Sequence, residues 1–140
     1  MYTIEREFSI AIAHSLSNHE GRCRNFHGHN IDILVEVKSE ELNDNNMVMD
    51  FSDLKDLCNK YIDPLDHSML LNETETEMIK LLQKQNKRFH IFNNDPTAEH
   101  LCKYLFESIE RDLEFNYPEI EVDRVTIYEN EKSNATYSRI

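Results

Sequence analysis

From Tyr2 onward, apolar and polar residues alternate. Tyr2, Ile4, Phe8, Ile10 and Ile12 share one face, and Thr3, Glu5, Glu7 and Ser9 take the other. Successive side chains of an extended chain leave opposite faces, so a period of two predicts a half-buried strand. A second strand is predicted where Ile31, Ile33, Val35 and Val37 alternate with Asp32, Glu36 and Lys38, although Leu34 interrupts the polar face; it ends near Ser39. The next stretch, "LNDNNM" (42–47), is turn chemistry, because Asn and Asp tolerate left-handed backbone and hydrogen-bond their own neighbours. The period then lengthens to that of a helix. Phe51, Leu54, Leu57, Cys58 and Tyr61 fall on one side, Ser52 stands where an N-cap is expected, and Pro64 lies beyond the end.

Residues 73–88 are mostly polar around a short cluster of Met78, Ile79, Leu81 and Leu82, which predicts a weak helix inside an exposed connection. A longer helix is predicted in "DPTAEHLCKYLFESIERDLEF" (95–115). Asp95 or Thr97 caps it, Pro96 suits its first turn, and Leu101, Leu105, Ile109 and Leu113 form one stripe. Two strand-like runs close the chain, Ile120 to Tyr128 and Ala135 to Ile140, joined by the polar turn "NEKSN". Strands, helices, then strands, with short connections, predict an α+β domain with helices on one face of an antiparallel sheet.

Length and charge narrow the function classes. At 140 residues the whole chain, 1–140, fits one domain able to bury a core without disulfides. Lys and Arg number 15 against 27 Asp and Glu, a formal net charge of -12, which argues against a nucleic-acid or anionic-membrane surface. An anionic ligand would need its own local cluster of basic groups. The start, "MYTIEREFSIAIAH", lacks the pattern of a secretory signal, and no apolar run is long enough to span a membrane, so a cytoplasmic protein is expected. Three widely spaced cysteines do not form a secreted disulfide framework. Cys58 and Cys102 stand on apolar helix stripes and are expected in the core.

The candidate chemistry centres on "CRNFHGHN" (23–30). His27 and His29 leave the same face of an extended chain, in phase with the apolar row of the second strand, and Gly28 between them permits close backbone approach. His14 continues the even-numbered row of the first strand. If the two strands pair as antiparallel neighbours, the end of the first lies beside the start of the second and three imidazoles converge. Three protein nitrogens and one open position is the arrangement of a catalytic zinc. The plain alternative for a lone His-x-His is two hydrogen-bonded histidines. Cys23 precedes His27 by four residues, near such a centre without being forced to ligate it, and a thiol beside a cation ionises more readily. His19, His90 and His100 lack this geometry and are expected on the surface or a helix face. Asp66 and His67 are adjacent, so the carboxylate can polarise the imidazole, though such a pair is commonly a cap beside a solvated ring. Glu129 falls in phase with the apolar face of Val125 and Ile127, where a carboxylate needs solvent or a partner.

Taken in order, "FSIAIAHSL", "CRNFHGHN", "MVMDFSDLK", "LDHSMLLN", "DPTAEHL" and "VTIYENEKSNATY" resemble the 6-pyruvoyl-tetrahydropterin synthase and 6-carboxy-tetrahydropterin synthase family. The resemblance implies a T-fold: an antiparallel sheet with two main helices on one face, subunits joined into barrels, usually as hexamers, and active sites at subunit interfaces. It matches His14, His27 and His29 to the zinc ligands, Cys23 to the catalytic cysteine, Asp66 and His67 to the catalytic pair, and Glu129 to the carboxylate that anchors the pterin. Thr97 and Glu99 match residues placed near the pterin. The implied substrate is 7,8-dihydroneopterin triphosphate, and Arg22 and Arg24, flanking Cys23, are the basic groups expected for its phosphates. The Cys-x3-His-Gly-His spacing resembles the branch that forms 6-carboxy-tetrahydropterin with acetaldehyde and triphosphate, for queuosine and other 7-deazaguanines. The sister branch forms the pyruvoyl product, and a non-catalytic zinc or pterin binder is the rival from another class. Four features depart from the pattern: the longer gap in "DHSMLLN", Asn46 for a usual glycine, Asn130 for a threonine, and Ile31 for an aromatic.

Overall fold

A computed structural model describes residues 1–139 of the chain. The two long alternating segments form β1 (Tyr2–His14) and β2 (His27–Ser39), which pair antiparallel along their full length, from Tyr2 opposite Ser39 to His14 opposite His27. The shared period fixes this register. A slip by one residue would turn Ile31, Ile33, Val35 and Val37, all fully buried, out to solvent. After β2 the chain turns through 42–47 as the sequence predicts: the Asn43 side chain accepts from the amides of Asn45 and Met47, and Asn46 adopts φ 61°.

Helix α1 (Phe51–Ile62) follows, then a 3-10 turn (Asp63–Leu65), β3 (Ser68–Asn72), α2 (Thr76–Lys84), β4 (Phe89–Phe92), α3 (Ala98–Asn116), β5 (Glu121–Tyr128) and β6 (Asn134–Tyr137). The cap of α1 is Asp50 rather than Ser52. The helix begins two residues earlier than a Ser52 cap would set it, and the Asp50 carboxylate accepts both the amide (2.8 Å) and the hydroxyl (2.6 Å) of Ser52. Of the two candidates for α3, Thr97 is the cap, accepting from the His100 amide at 3.1 Å. The final strand ends at Tyr137, and Ile140 lies outside the described residues.

The six strands lie in the order β4-β3-β1-β2-β5-β6. The sheet is mixed rather than wholly antiparallel, because β1 pairs with β3, and β3 with β4, in parallel, while the remaining neighbours are antiparallel. The α+β T-fold class holds, with α1 and α3 as the two main helices. Their buried faces, including Leu54, Leu57, Leu101, Leu105, Ile109 and Leu113, join the apolar face of the sheet in one core. The shorter α2 has no fully buried residue and spans the parallel crossover from β3 to β4. Cys58 and Cys102 belong to the core, and burial pushes both thiols up to about 12. Among the described residues no helix is long and apolar enough to cross a membrane.

Candidate metal centre and active site

The β1–β2 ladder brings the three predicted histidines together. His14 stands opposite His27 and Ile12 opposite His29, so the rings gather on the core face at the ladder's open end. They meet edge to face with centroids 4.6 Å (His14 to His27), 5.2 Å (His14 to His29) and 4.9 Å (His27 to His29) apart. One ring nitrogen of each lies within 4.8 Å of the others. Among the described residues this trio forms a metal-competent group without Cys23.

Two of the rings are held from behind by backbone. His14 Nδ1 lies 2.8 Å from the carbonyl of Pro96, at the start of α3, and His27 Nδ1 lies 2.7 Å from the carbonyl of Asn25. A carbonyl can only accept, so Nδ1 carries the proton in both and Nε2 is left with a free lone pair. That Nε2 of His14 is buried and has no hydrogen-bond partner within the chain. A buried acceptor without a partner is unfavourable, and a metal ion held by this nitrogen would remove the deficit. Burial lowers the pKa of His14, and the neighbouring His27 and His29 lower it further, against the Pro96 carbonyl and Glu129. The neutral ring is the ligating form. The residues therefore fit a divalent ion.

Around this centre the other candidates divide between two faces. Glu129 is half-buried, follows directly on β5, and influences His14 electrostatically. With Tyr128 opposite Asp32, Glu129 falls level with Ile31 and on the same face as His29. Cys23 sits half-buried in a 3-10 turn (Arg22–Arg24) of the β1–β2 connection, its carbonyl accepting from the Leu16 amide at 2.8 Å, with Arg22 and Arg24 exposed on either side. The Thr97 oxygen is engaged in its cap, and Glu99 is exposed in the first turn of α3.

Asp66 and His67 do not join the histidine trio within one chain. Asp66 Oδ1 accepts from the Ala11 amide (3.0 Å) and from His67 Nδ1 (2.9 Å), while the His67 amide donates to the Ala11 carbonyl at 2.7 Å. The Ala11 amide is the main cause of a lowered Asp66 pKa, overcoming burial, with His67 adding to it. The pair thus sits level with Ala11, whose side chain belongs to the sheet face opposite that of Ile12 and His14. His67 holds a left-handed backbone (φ 54°), a conformation that costs a non-glycine residue about 1–3 kcal/mol. Arg88 braces this turn by donating to the carbonyls of Asp66 (3.1 Å) and Asp63 (2.8 Å). The imidazole is 78% exposed and lies beside Ala11, Ala13 and Arg88, outside the histidine trio.

His19 is exposed in the loop. His100 lies on α3 as expected, whereas His90 is on β4, half-buried against Phe92 and Tyr104. Sequence reasoning passed over the Pro96 and Asn25 carbonyls, which are backbone groups with no residue-type signature, and Arg88, whose role depends on the unforeseen β3–β4 pairing.

A family model described as 6-pyruvoyl tetrahydropterin synthase matches residues 3–139. The chain belongs to that family. It is similar to the 6-carboxy-5,6,7,8-tetrahydropterin synthase of Haemophilus influenzae, at 35% identity over 86% of this chain and 90% of that protein. A putative 6-carboxy-5,6,7,8-tetrahydropterin synthase of Archaeoglobus fulgidus is 32% identical over 94% of this chain and 90% of its own length. Among solved structures, an uncharacterized protein of Wolinella succinogenes shares the fold with a TM-score of 0.83, at 21% identity over 99% of this chain and 98% of that one. The 6-pyruvoyl tetrahydropterin synthase of Caenorhabditis elegans aligns with a TM-score of 0.73, at 25% identity over 99% of this chain and 96% of that one.

Proposed function

We propose that the chain is a zinc-dependent lyase that converts 7,8-dihydroneopterin triphosphate and one water to 6-carboxy-5,6,7,8-tetrahydropterin, releasing acetaldehyde and triphosphate. The observation that carries this reading is the trio His14, His27 and His29 with the His14 Nε2 lone pair buried and unpaired. The carboxy product is favoured by the names of the relatives at 35% and 32% identity and by the Cys23-x3-His27 spacing. The C. elegans likeness keeps the pyruvoyl product as the second reading.

His14, His27 and His29 would hold the zinc ion, which would supply Lewis-acid polarisation of substrate oxygens. The Cys23 sulfur accepts a proton from the substrate side chain. His67, with Nδ1 fixed by the Asp66 carboxylate, presents Nε2 to deliver one in return. Glu129 accepts paired hydrogen bonds from the amino group and ring N–H of the pterin, near Thr97 and Glu99. Arg24, with Arg22, meets the phosphates, a local positive patch on a chain of formal charge -12.

His67 lies outside the trio within one chain, so a complete site draws Cys23 and the metal from one chain and the Asp66–His67 pair from another. The working form is accordingly a homo-oligomer, a hexamer by family resemblance, with sites between subunits. Complementation tests this directly. Cys23→Ala and His67→Ala should each retain zinc and lack turnover, and their co-expressed mixture should regain part of the wild-type rate by pairing an intact Cys23 with a neighbour's intact His67. A mixture as inactive as its parents contradicts the shared site, and Cys23→Ala with wild-type turnover removes Cys23 from the reaction.

A further inference from the structure

The loop that carries Cys23 is tied down by one carboxylate. Asp95 Oδ1 accepts from the Ser17 hydroxyl at 2.7 Å and from the Asn72 side-chain amide at 3.0 Å, and Asp95 Oδ2 accepts from the Asn18 backbone amide at 3.2 Å. Ser17 and Asn18 lie early in the β1–β2 connection, three and four residues after His14 ends β1. Their neighbour Leu16 donates its amide to the carbonyl of Cys23, and the His19 amide returns to the Leu16 carbonyl, each at 2.8 Å. Three chemically different donors from two separate segments therefore converge on Asp95. A carboxylate accepts at both oxygens and donates at neither, so it is the side chain that satisfies all three. Burial works against its ionisation, but the hydrogen bonds from Asn72, Ser17 and Asn18 outweigh this and hold the carboxyl below its ordinary value.

Asp95 also precedes Pro96, whose carbonyl fixes the His14 ring. On the far side, Asn72 ends β3, and a second carboxylate continues the network: Glu75 accepts from the Ser15 hydroxyl at 2.9 Å and from the Asn72 amide at 2.8 Å. Ser15 is thus held by Glu75, the N-cap of α2, and Ser17 and Asn18 by Asp95, just ahead of α3. The same short segment links the metal ligand His14 to the thiol of Cys23.

We infer that Asp95 is a positioning residue: it locks the Cys23 loop onto the segment that orients His14, so that thiol and histidine trio keep one fixed relation. It touches neither substrate nor metal. The part of this inference that concerns turnover rests on the function proposed above, whereas the loop clamp does not.

The test uses the full-length, zinc-loaded protein and reads the thiol as well as the reaction. Cys58 and Cys102 are buried, so mass spectrometry after iodoacetamide follows Cys23 selectively. In Asp95→Ala, folded by circular dichroism, Cys23 should alkylate several-fold faster than in wild type, with the zinc stoichiometry retained. The kcat for 7,8-dihydroneopterin triphosphate should fall about 10- to 100-fold with a much smaller change in KM, as expected when a reacting group loses its alignment. Asp95→Asn keeps the Oδ1 acceptor and loses the Oδ2 one, so it should fall between. A folded Asp95→Ala with wild-type alkylation rate overturns the inference. A loosened thiol with unchanged kcat overturns the catalytic part alone, and absence of turnover even in wild type counts against the proposed function while the alkylation rates still decide the clamp. Should Asp95→Ala fail to fold, Ser17→Ala removes one exposed bond of the clamp and must speed alkylation if the inference holds.

Discussion

His14 is 1% exposed, yet its Nε2 has no partner in the chain and its Nδ1 is committed to Pro96. A core histidine serving only as packing would be expected to satisfy both nitrogens, so the free lone pair is the residue-scale sign of a ligand. The converging rings of His27 and His29 offer two further nitrogens that could complete a three-point site. Substituting His29→Ala should therefore weaken zinc binding by more than the about 10- to 100-fold typical of losing an outer hydrogen-bond partner of a ligand. Competition with a chromophoric chelator measures it. Wild-type affinity in that variant would mean that His29 does not ligate.

Elements set how precisely such residues can be placed, and α1 and α3 are fastened by a part-buried polar contact. Asp112 of α3 accepts from Tyr61 (2.8 Å) and Lys60 (3.1 Å) of α1 and from Asn116 (2.8 Å), with its side chain only 7% exposed. Burial opposes its ionisation, yet the bonds from Tyr61, Asn116 and Lys60 prevail and depress its pKa. A depressed carboxylate contributes stability that is present above the unfolded value of about 3.9 and is lost as pH falls through the lower folded value. Asp112→Asn should thus cost about 2 kcal/mol at neutral pH and show a shallower loss of Tm below pH ~4, read by thermal melts across pH. Equal acid sensitivity in the two proteins would contradict this. The same scale shows what the sequence could and could not disclose. β1 and β2 were legible because one face is buried and one is wet, and that phase carried His14, His27 and His29 to a common point. β3 was hidden because Ser68, Leu70, Leu71 and Asn72 are all buried, which erases alternation, and β4 has only four residues. Missing both strands made the sheet look wholly antiparallel. The adjacency of Asp66 and His67 was legible, but the direction they face follows from pairing with Ala11, a long-range contact that no local pattern encodes.

For the whole molecule, the division of candidate groups between two sheet faces is the decisive feature. One face and end hold the histidine trio with Glu129, and the opposite face presents His67. Neither half alone brings the histidine trio together with the His67 imidazole, which is why an assembly of copies is proposed for the working enzyme. Membership of the tetrahydropterin synthase family accounts for the shared fold, while the choice between its products is a matter of chemistry at the completed site. The most direct measurement is mass spectrometry of the products formed by purified, zinc-loaded protein from 7,8-dihydroneopterin triphosphate, with acetaldehyde assayed in parallel. The account predicts 6-carboxy-5,6,7,8-tetrahydropterin together with acetaldehyde and triphosphate. A pyruvoyl product without acetaldehyde, or bound zinc with no turnover, would contradict it.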